Sequence, residues 1–222
     1  MNNMRNFAEP QALLLSQIKD KLCQRRDFNG CNLSGIDLST VDLSGVNLIG
    51  ADLSFANLFG CILTGANLTG ANLMQANLRE AKLYEAILSE ANLTDADLTQ
   101  ANLCGALLWR SQCRNINLWG ASLCAADLRE ADLTQGTLVE ASLIEGNLSR
   151  ANLTDAKLSG ATLLEANLTE VNFTNTDLRW ANLTKANLTN ANLEGTTIAF
   201  AKLRDTIMPD GKICNPQIVI WE

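Results

Sequence analysis

An all-β solenoid is the fold class this 222-residue sequence predicts, and two features carry the prediction: a leucine at every fifth residue and a frame that never slips. Counting in fives from Phe28 to Leu203, 32 of 36 positions are Leu; the exceptions are Phe28, Cys113, Phe173 and Ile198. Two residues before each centre stands Ala in 23 of 36 repeats, with Asn or Asp usually between them, as in Ala71-Asn72-Leu73. Ala and Leu favour helix, but a step of five is about 500° on a helix of 3.6 residues per turn, so the leucines would wander around the cylinder. A flat strand fails too, because five is odd and successive leucines would alternate faces. Short extended sides separated by corners resolve the conflict. The first and third residues of each side then point inward and the second and fourth outward.

Four such sides make a square coil of 20 residues, so residues 26–205 predict about nine coils. Coils stacked at ~4.8 Å make a rod roughly 43 Å long. Small first-position residues leave axial room for leucine. Eleven of the fourteen glycines fall at the fifth position, as suits a corner with unusual backbone angles. Both rod ends need caps, because a solenoid leaves apolar core and unpaired backbone there. Residues 1–25 are read as an N-terminal capping segment. Its helix, over 9–25, starts near Pro10 and carries Leu14, Ile18 and Leu22 on one face. Residues 206–222 are read as a turn at Pro209-Asp210-Gly211, then an apolar strand Ile218–Trp221 that covers the last coil or pairs with another chain.

Repeats such as Ala51-Asp52-Leu53-Ser54-Phe55 and Ala66-Asn67-Leu68-Thr69-Gly70 resemble the A(D/N)LXX motif of pentapeptide-repeat proteins. The resemblance covers about four-fifths of the chain. It implies a right-handed quadrilateral β-helix, in agreement with the square derived from the residues. The ending Thr206–Gly211 looks like the tails of cyanobacterial members.

Composition excludes several functions. The chain has no histidine, so no Ser-His-Asp triad and no imidazole ligand. A net charge of −7 and 5% aromatics argue against direct nucleic-acid binding. No apolar run is long enough to span a membrane. Seven scattered cysteines and no recognisable signal peptide suggest a cytoplasmic protein. Every inward position is filled, so no ligand cavity, cofactor or metal site is expected, and no catalytic residues stand out.

In a 20-residue coil, residues 20 apart stack, so each outer face can be read as columns. Glu90, Arg110, Glu130, Arg150 and Glu170 alternate in sign and read as an intercoil ion-pair ladder; Asn152, Asn172 and Asn192 read as a polar one. A third column, Tyr84, Cys104, Cys124, Ile144 and Leu164, places apolar groups where Ser, Thr or Arg is usual. A contiguous stripe ~19 Å long marks a contact face. Cys104 and Cys124 are expected to be free thiols, since in-register neighbours point alike. Cys31, Cys61 and Cys113 are expected in the core. Trp109, Arg110, Gln112 and Arg114 form a weaker contact edge.

These features favour a non-enzymatic interaction or regulatory scaffold that presents a rigid surface to a protein partner, with homodimerisation as one form of contact. The resemblance supports it, since some cyanobacterial relatives look like regulators acting through protein contact, including in heterocyst patterning. It also implies an alternative, a DNA mimic that binds DNA gyrase and protects it from quinolones. Charge weighs against mimicry. Residues 26–205 hold 20 acids and 12 bases, whereas a duplex of the rod's length carries ~25 phosphates.

Overall fold

The computed structural model describes residues 26–214; the expected helix over 9–25 and the run Ile218–Trp221 lie outside the described residues. Within them, each second-position residue forms a parallel bridge to the residue 20 further on, from Asp27↔Asn47 to Asn187↔Ile207. Four pentapeptides therefore close one turn of a square coil. The first side is taken as 26–30, the second 31–35, the third 36–40 and the fourth 41–45, each recurring every 20 residues.

The fate of each backbone group explains the motif. The third-position N–H donates to the second-position carbonyl of the next coil, as from Leu103 to Ser122 at 2.7 Å. The fifth-position N–H donates to the fourth-position carbonyl of the next coil, as from Gly105 to Cys124 at 2.9 Å. The second-position N–H points the other way, as from Asn102 to Ala81 in the preceding coil at 2.9 Å. The fourth-position N–H has no intercoil partner, and the Asn or Asp two residues earlier supplies one: Asn102 Oδ1 accepts from the Cys104 N–H at 3.1 Å. Only a short side chain with a carbonyl-type oxygen makes this local turn, hence Asn/Asp at position two.

Corners close by a hydrogen bond from the following first-position N–H to the third-position carbonyl, as from Ala106 to Leu103 at 3.0 Å. Every fifth residue from Gly30 to Asp205 has φ between 54° and 71°, the positive value that a type II turn demands at its third residue. Glycine fits there, but Glu, Gln, Asp and even Trp180 and Phe200 adopt the same angle. Left-handed backbone costs a non-glycine residue roughly 1–2 kcal/mol, a cost that the two intercoil bonds flanking each corner offset.

Third-position residues from Leu38 to Leu183 are at most 1% exposed and form one continuous core column with the small first-position residues. Buried first-position threonines are satisfied by the preceding coil: the Thr176 and Thr206 hydroxyls donate to the carbonyls of Leu153 and Leu183, each at 2.7 Å. Cys61 lies in the core, its Sγ 2.7 Å from the Leu38 carbonyl, and burial pushes its thiol up to about 11. Cys113 is also buried, and burial pushes it to about 12. Cys31 is not in the core as expected: it is exposed. Cover in this first described coil is uneven and follows side-chain size: Ile36, also at a first position, is buried, Val41 is half-buried and the shorter Cys31 is left exposed.

The described residues close with a hairpin that the five-residue period does not announce. Strand β1 (Thr206–Ile207) pairs antiparallel with β2 (Ile213–Cys214). The expected turn at Pro209-Asp210-Gly211 joins them, closed by the bond from the Gly211 N–H to the Met208 carbonyl at 2.9 Å. Gly211, at φ 80°, supplies the left-handed residue that a three-residue hairpin loop requires. Because Ile207 also bridges Asn187, β2 covers the outer edge of the last described coil on the first side.

Candidate protein-contact surface

The fourth side carries the apolar column. Its register is fixed by the fifth-position amides, each bonded to the stripe residue of the next coil. Glu85 donates to Cys104 at 3.0 Å, Gly105 to Cys124 at 2.9 Å, Ala125 to Ile144 at 2.8 Å and Glu145 to Leu164 at 2.9 Å. The five side chains thus sit on consecutive coils of one face. Tyr84 is exposed, at 45%, and Cys104, Cys124, Ile144 and Leu164 are half-buried against one another. Both cysteines are free thiols. Burial raises the Cys104 thiol above its usual value. The Tyr84 hydroxyl is raised through its hydrogen bond to Glu85 and that group's charge. Both shifts keep Cys104 and Tyr84 in their neutral forms.

The weaker edge divides between two sides. On the first side the Arg110 guanidinium lies over the half-buried Trp109 ring, 4.4 Å from its centroid, and its Nε donates to Glu130 at 2.7 Å. On the second side Arg114 donates to Asp132 at 2.6 Å, and Gln112 sits exposed on the ladder between Asn92 and Asp132. Both arginines are held in place by acids of the next coil. The alternating column resolves into pairs, Arg110–Glu130 and Arg150–Glu170 at 2.7 and 3.0 Å. The asparagine ladder runs continuously, Asn192 to Asn172 at 3.2 Å and Asn172 to Asn152 at 3.3 Å. Among the described residues no cluster of acids and cysteines is placed to hold a metal ion, and no helix is long and apolar enough to cross a membrane.

Eight copies of the Pentapeptide repeats family profile match between residues 27 and 208, in overlapping segments from 27–65 to 172–208. The chain belongs to the pentapeptide-repeat family. Proteins of this family fold as right-handed quadrilateral β-helices, and the 20-residue register above is that architecture. Among solved pentapeptide-repeat structures, HetL is involved in heterocyst differentiation regulation and comes from the cyanobacterium Nostoc sp. strain PCC 7120. It is 32% identical over 89% of this chain and 98% of its own, with a TM-score of 0.43. QnrB1, a plasmid-mediated fluoroquinolone resistance protein, is 21% identical over 79% of this chain and 90% of its own, with a TM-score of 0.53. Rfr23, from the cyanobacterium Cyanothece 51142, is 21% identical over 87% and 99%, with a TM-score of 0.23. No curated protein matches the chain.

One feature of this pentapeptide-repeat surface is not among the columns recognised in the sequence. At two successive corners between the third and fourth sides, Trp180 and Phe200 stack with ring centroids 4.3 Å apart and planes at 12°. They are 61% and 70% exposed. Their spacing of 20 is the same signal that found the stripe, here on the corners of the third side.

Proposed function

We propose that the protein is a non-enzymatic interaction scaffold whose fourth side, along Tyr84, Cys104, Cys124, Ile144 and Leu164, is the face that meets a protein partner. The observation that carries this reading is the replacement, on five consecutive coils, of polar outward residues by apolar ones aligned in register. Isolated surface hydrophobes carry no such meaning, whereas an aligned stripe removes a continuous apolar strip from water on contact. Several other outward columns are ladders that satisfy themselves, such as Arg110–Glu130 and Asn192–Asn172–Asn152. The likeness in sequence to HetL, a protein involved in regulation, is in keeping with a regulatory role.

The gyrase-binding alternative is disfavoured by charge. The second side is the most acidic, with Asp52, Asp95, Asp132, Asp155 and Glu194 against Arg114. Several of these carboxylates are engaged within the coil, Asp52 by Ser54 and Asn72 and Asp132 by Arg114 and Thr134. The test is light scattering and quantitative partner capture with wild type and with the Ile144→Asp, Leu164→Asp double variant. Association, with itself or with a captured protein, is expected in the wild type and lost in the double variant. Equal association by both proteins rejects the stripe.

A further inference from the structure

Most stripe residues lack the local turn that pairs a fourth-position amide. Asn102 supplies it for Cys104, but Lys82, Ser122, Ser142 and Thr162 stand before the other four. Among the described residues the N–H groups of Tyr84, Cys124, Ile144 and Leu164 have no protein acceptor. Whatever covers the stripe must bring acceptors along with apolar groups, because a donor buried without a partner is costly. It must also keep step with the coils, which repeat every ~4.8 Å. An extended strand laid along the rod shows a side chain on one face every ~6.7 Å and falls out of step. A second rod of the same kind has the same spacing.

Resting on the fourth side as the contact face, we propose that its occupant is a second copy of this chain, antiparallel and face to face. The register sets Cys124 against Ile144 of the second copy and Glu85 against Lys185 of the second copy. A two-fold axis across the rods keeps each column opposite itself, so apolar column meets apolar column. An axis along the rods sets the stripe against the second-position hydroxyls instead. Charge selects the register. In this one Glu85 meets Lys185 at both ends of the contact. Lys185 already bonds Glu165 at 2.8 Å, and its ammonium keeps two further donors. Sliding one coil in one direction sets Glu85 against Glu165; sliding in the other sets it against Asp205, with Lys82 against Lys202. Shape agrees with charge. Exposed Tyr84 comes over Thr184, which lies buried with its hydroxyl bonded to Asn182 at 2.7 Å. Ser122 meets Ser142 at the centre, and these hydroxyls are the acceptors that the stripe amides need. A strip about 24 Å long and about 10 Å wide is small for an interface, so the dimer is expected to be reversible.

Sedimentation equilibrium from about 10 µM to about 1 mM tests this on wild type, Glu85→Lys, Lys185→Glu and the combined swap. Both positions are exposed, so the fold is not at stake. Dimerisation is expected in the wild type, weakened at least about tenfold by either single substitution and restored by the swap. The contact with Glu165 is lost in Lys185→Glu and in the swap alike, so only a pair between copies explains the rescue. A wild type that stays monomeric up to about 1 mM overturns the second copy as occupant and leaves the stripe to a foreign protein. A dimer abolished by Ile144→Asp, Leu164→Asp but not restored by the charge swap overturns the register while the stripe stands. A dimer that survives Ile144→Asp, Leu164→Asp lies on another face, and the proposal falls together with the stripe.

Discussion

The interior coils and the last coil are built from the same repeat, yet they differ in what the repeat leaves over. Inside, Leu103 is fully buried and its N–H, the Gly105 N–H and the Asn102 N–H all find partners in neighbouring coils. At the C-terminal end Leu203 is half-buried, and its N–H has no acceptor among the described residues. The difference shows that the coil has a direction. Each side sends two N–H groups toward the following coil and only one toward the preceding coil. Side chains follow the same polarity, since first-position threonines lean backward, as Thr176 does on Leu153. The repeat cannot end in the same way twice. In the first described coil the third-position Phe28 and Leu33 stay buried, whereas in the last Leu193, Ile198 and Leu203 are half-buried.

The sharpest way to break this contrast is to truncate a core leucine in each region. Leu103→Ala is expected to cost about 2–5 kcal/mol, because its cavity is walled by coils on both sides, and Leu203→Ala under about 2 kcal/mol. Denaturant unfolding of both variants checks it; equal losses would mean that the last coil is packed as tightly as the middle. Next in size are the asparagine ladders. Asn172 exchanges hydrogen bonds with Asn152, Thr154 and Asn192, so Asn172→Ala is expected to cost about 1–3 kcal/mol. Asn192→Ala, which leaves no following coil unpaired, should cost about 1 kcal/mol.

Acid titration should sharpen the comparison further. The Arg179 hydrogen bond holds the Asp177 carboxyl below its usual value, and Ser39 does the same for Asp37, first through its backbone N–H. A depressed folded-state value means stability that is complete above the unfolded value near 4 and is lost as pH falls through the folded one. Thermal melts are thus expected to be flat from about pH 5 to 8, where a chain without histidine has no side chain of ordinary value to titrate, and to fall below about pH 4. Arg179→Gln should lower the plateau and make the fall smaller, because less of the Asp177 depression remains to be lost. The smallest effect is expected from Lys185→Met, which removes an exposed pair with Glu165 at 2.8 Å. It should change stability by at most about 1 kcal/mol, and the change should vanish in high salt.

The square section and the 20-residue register were legible because a period of five admits neither helix nor flat strand. The stripe was legible for the same reason, since a known register converts a sequence into columns. Corner conformation was not. Glycine signals a left-handed residue, but Glu90 and Trp180 occupy the same angle and carry no such signal; the neighbouring ladder imposes it. The hairpin was half legible: Pro209-Asp210-Gly211 marked the turn, while two-residue strands are too short to show alternation. Cys31 was misplaced because periodicity assigns an inward position without showing how well it is covered: in the same coil Ile36 is buried and Cys31 is not.

The claim that the fourth side is a contact face can be tested on the native thiols. Cys104 and Cys124 lie in the stripe, Cys31 is exposed far from it, and Cys61 and Cys113 are buried. Alkylation rates read by mass spectrometry, free and in the associated state, compare each thiol with itself. Slowing of Cys104 and Cys124 by at least about tenfold on association, with Cys31 unchanged, is the result expected of a stripe buried at the interface. Unchanged rates at Cys104 and Cys124 in a demonstrably associated sample would contradict it.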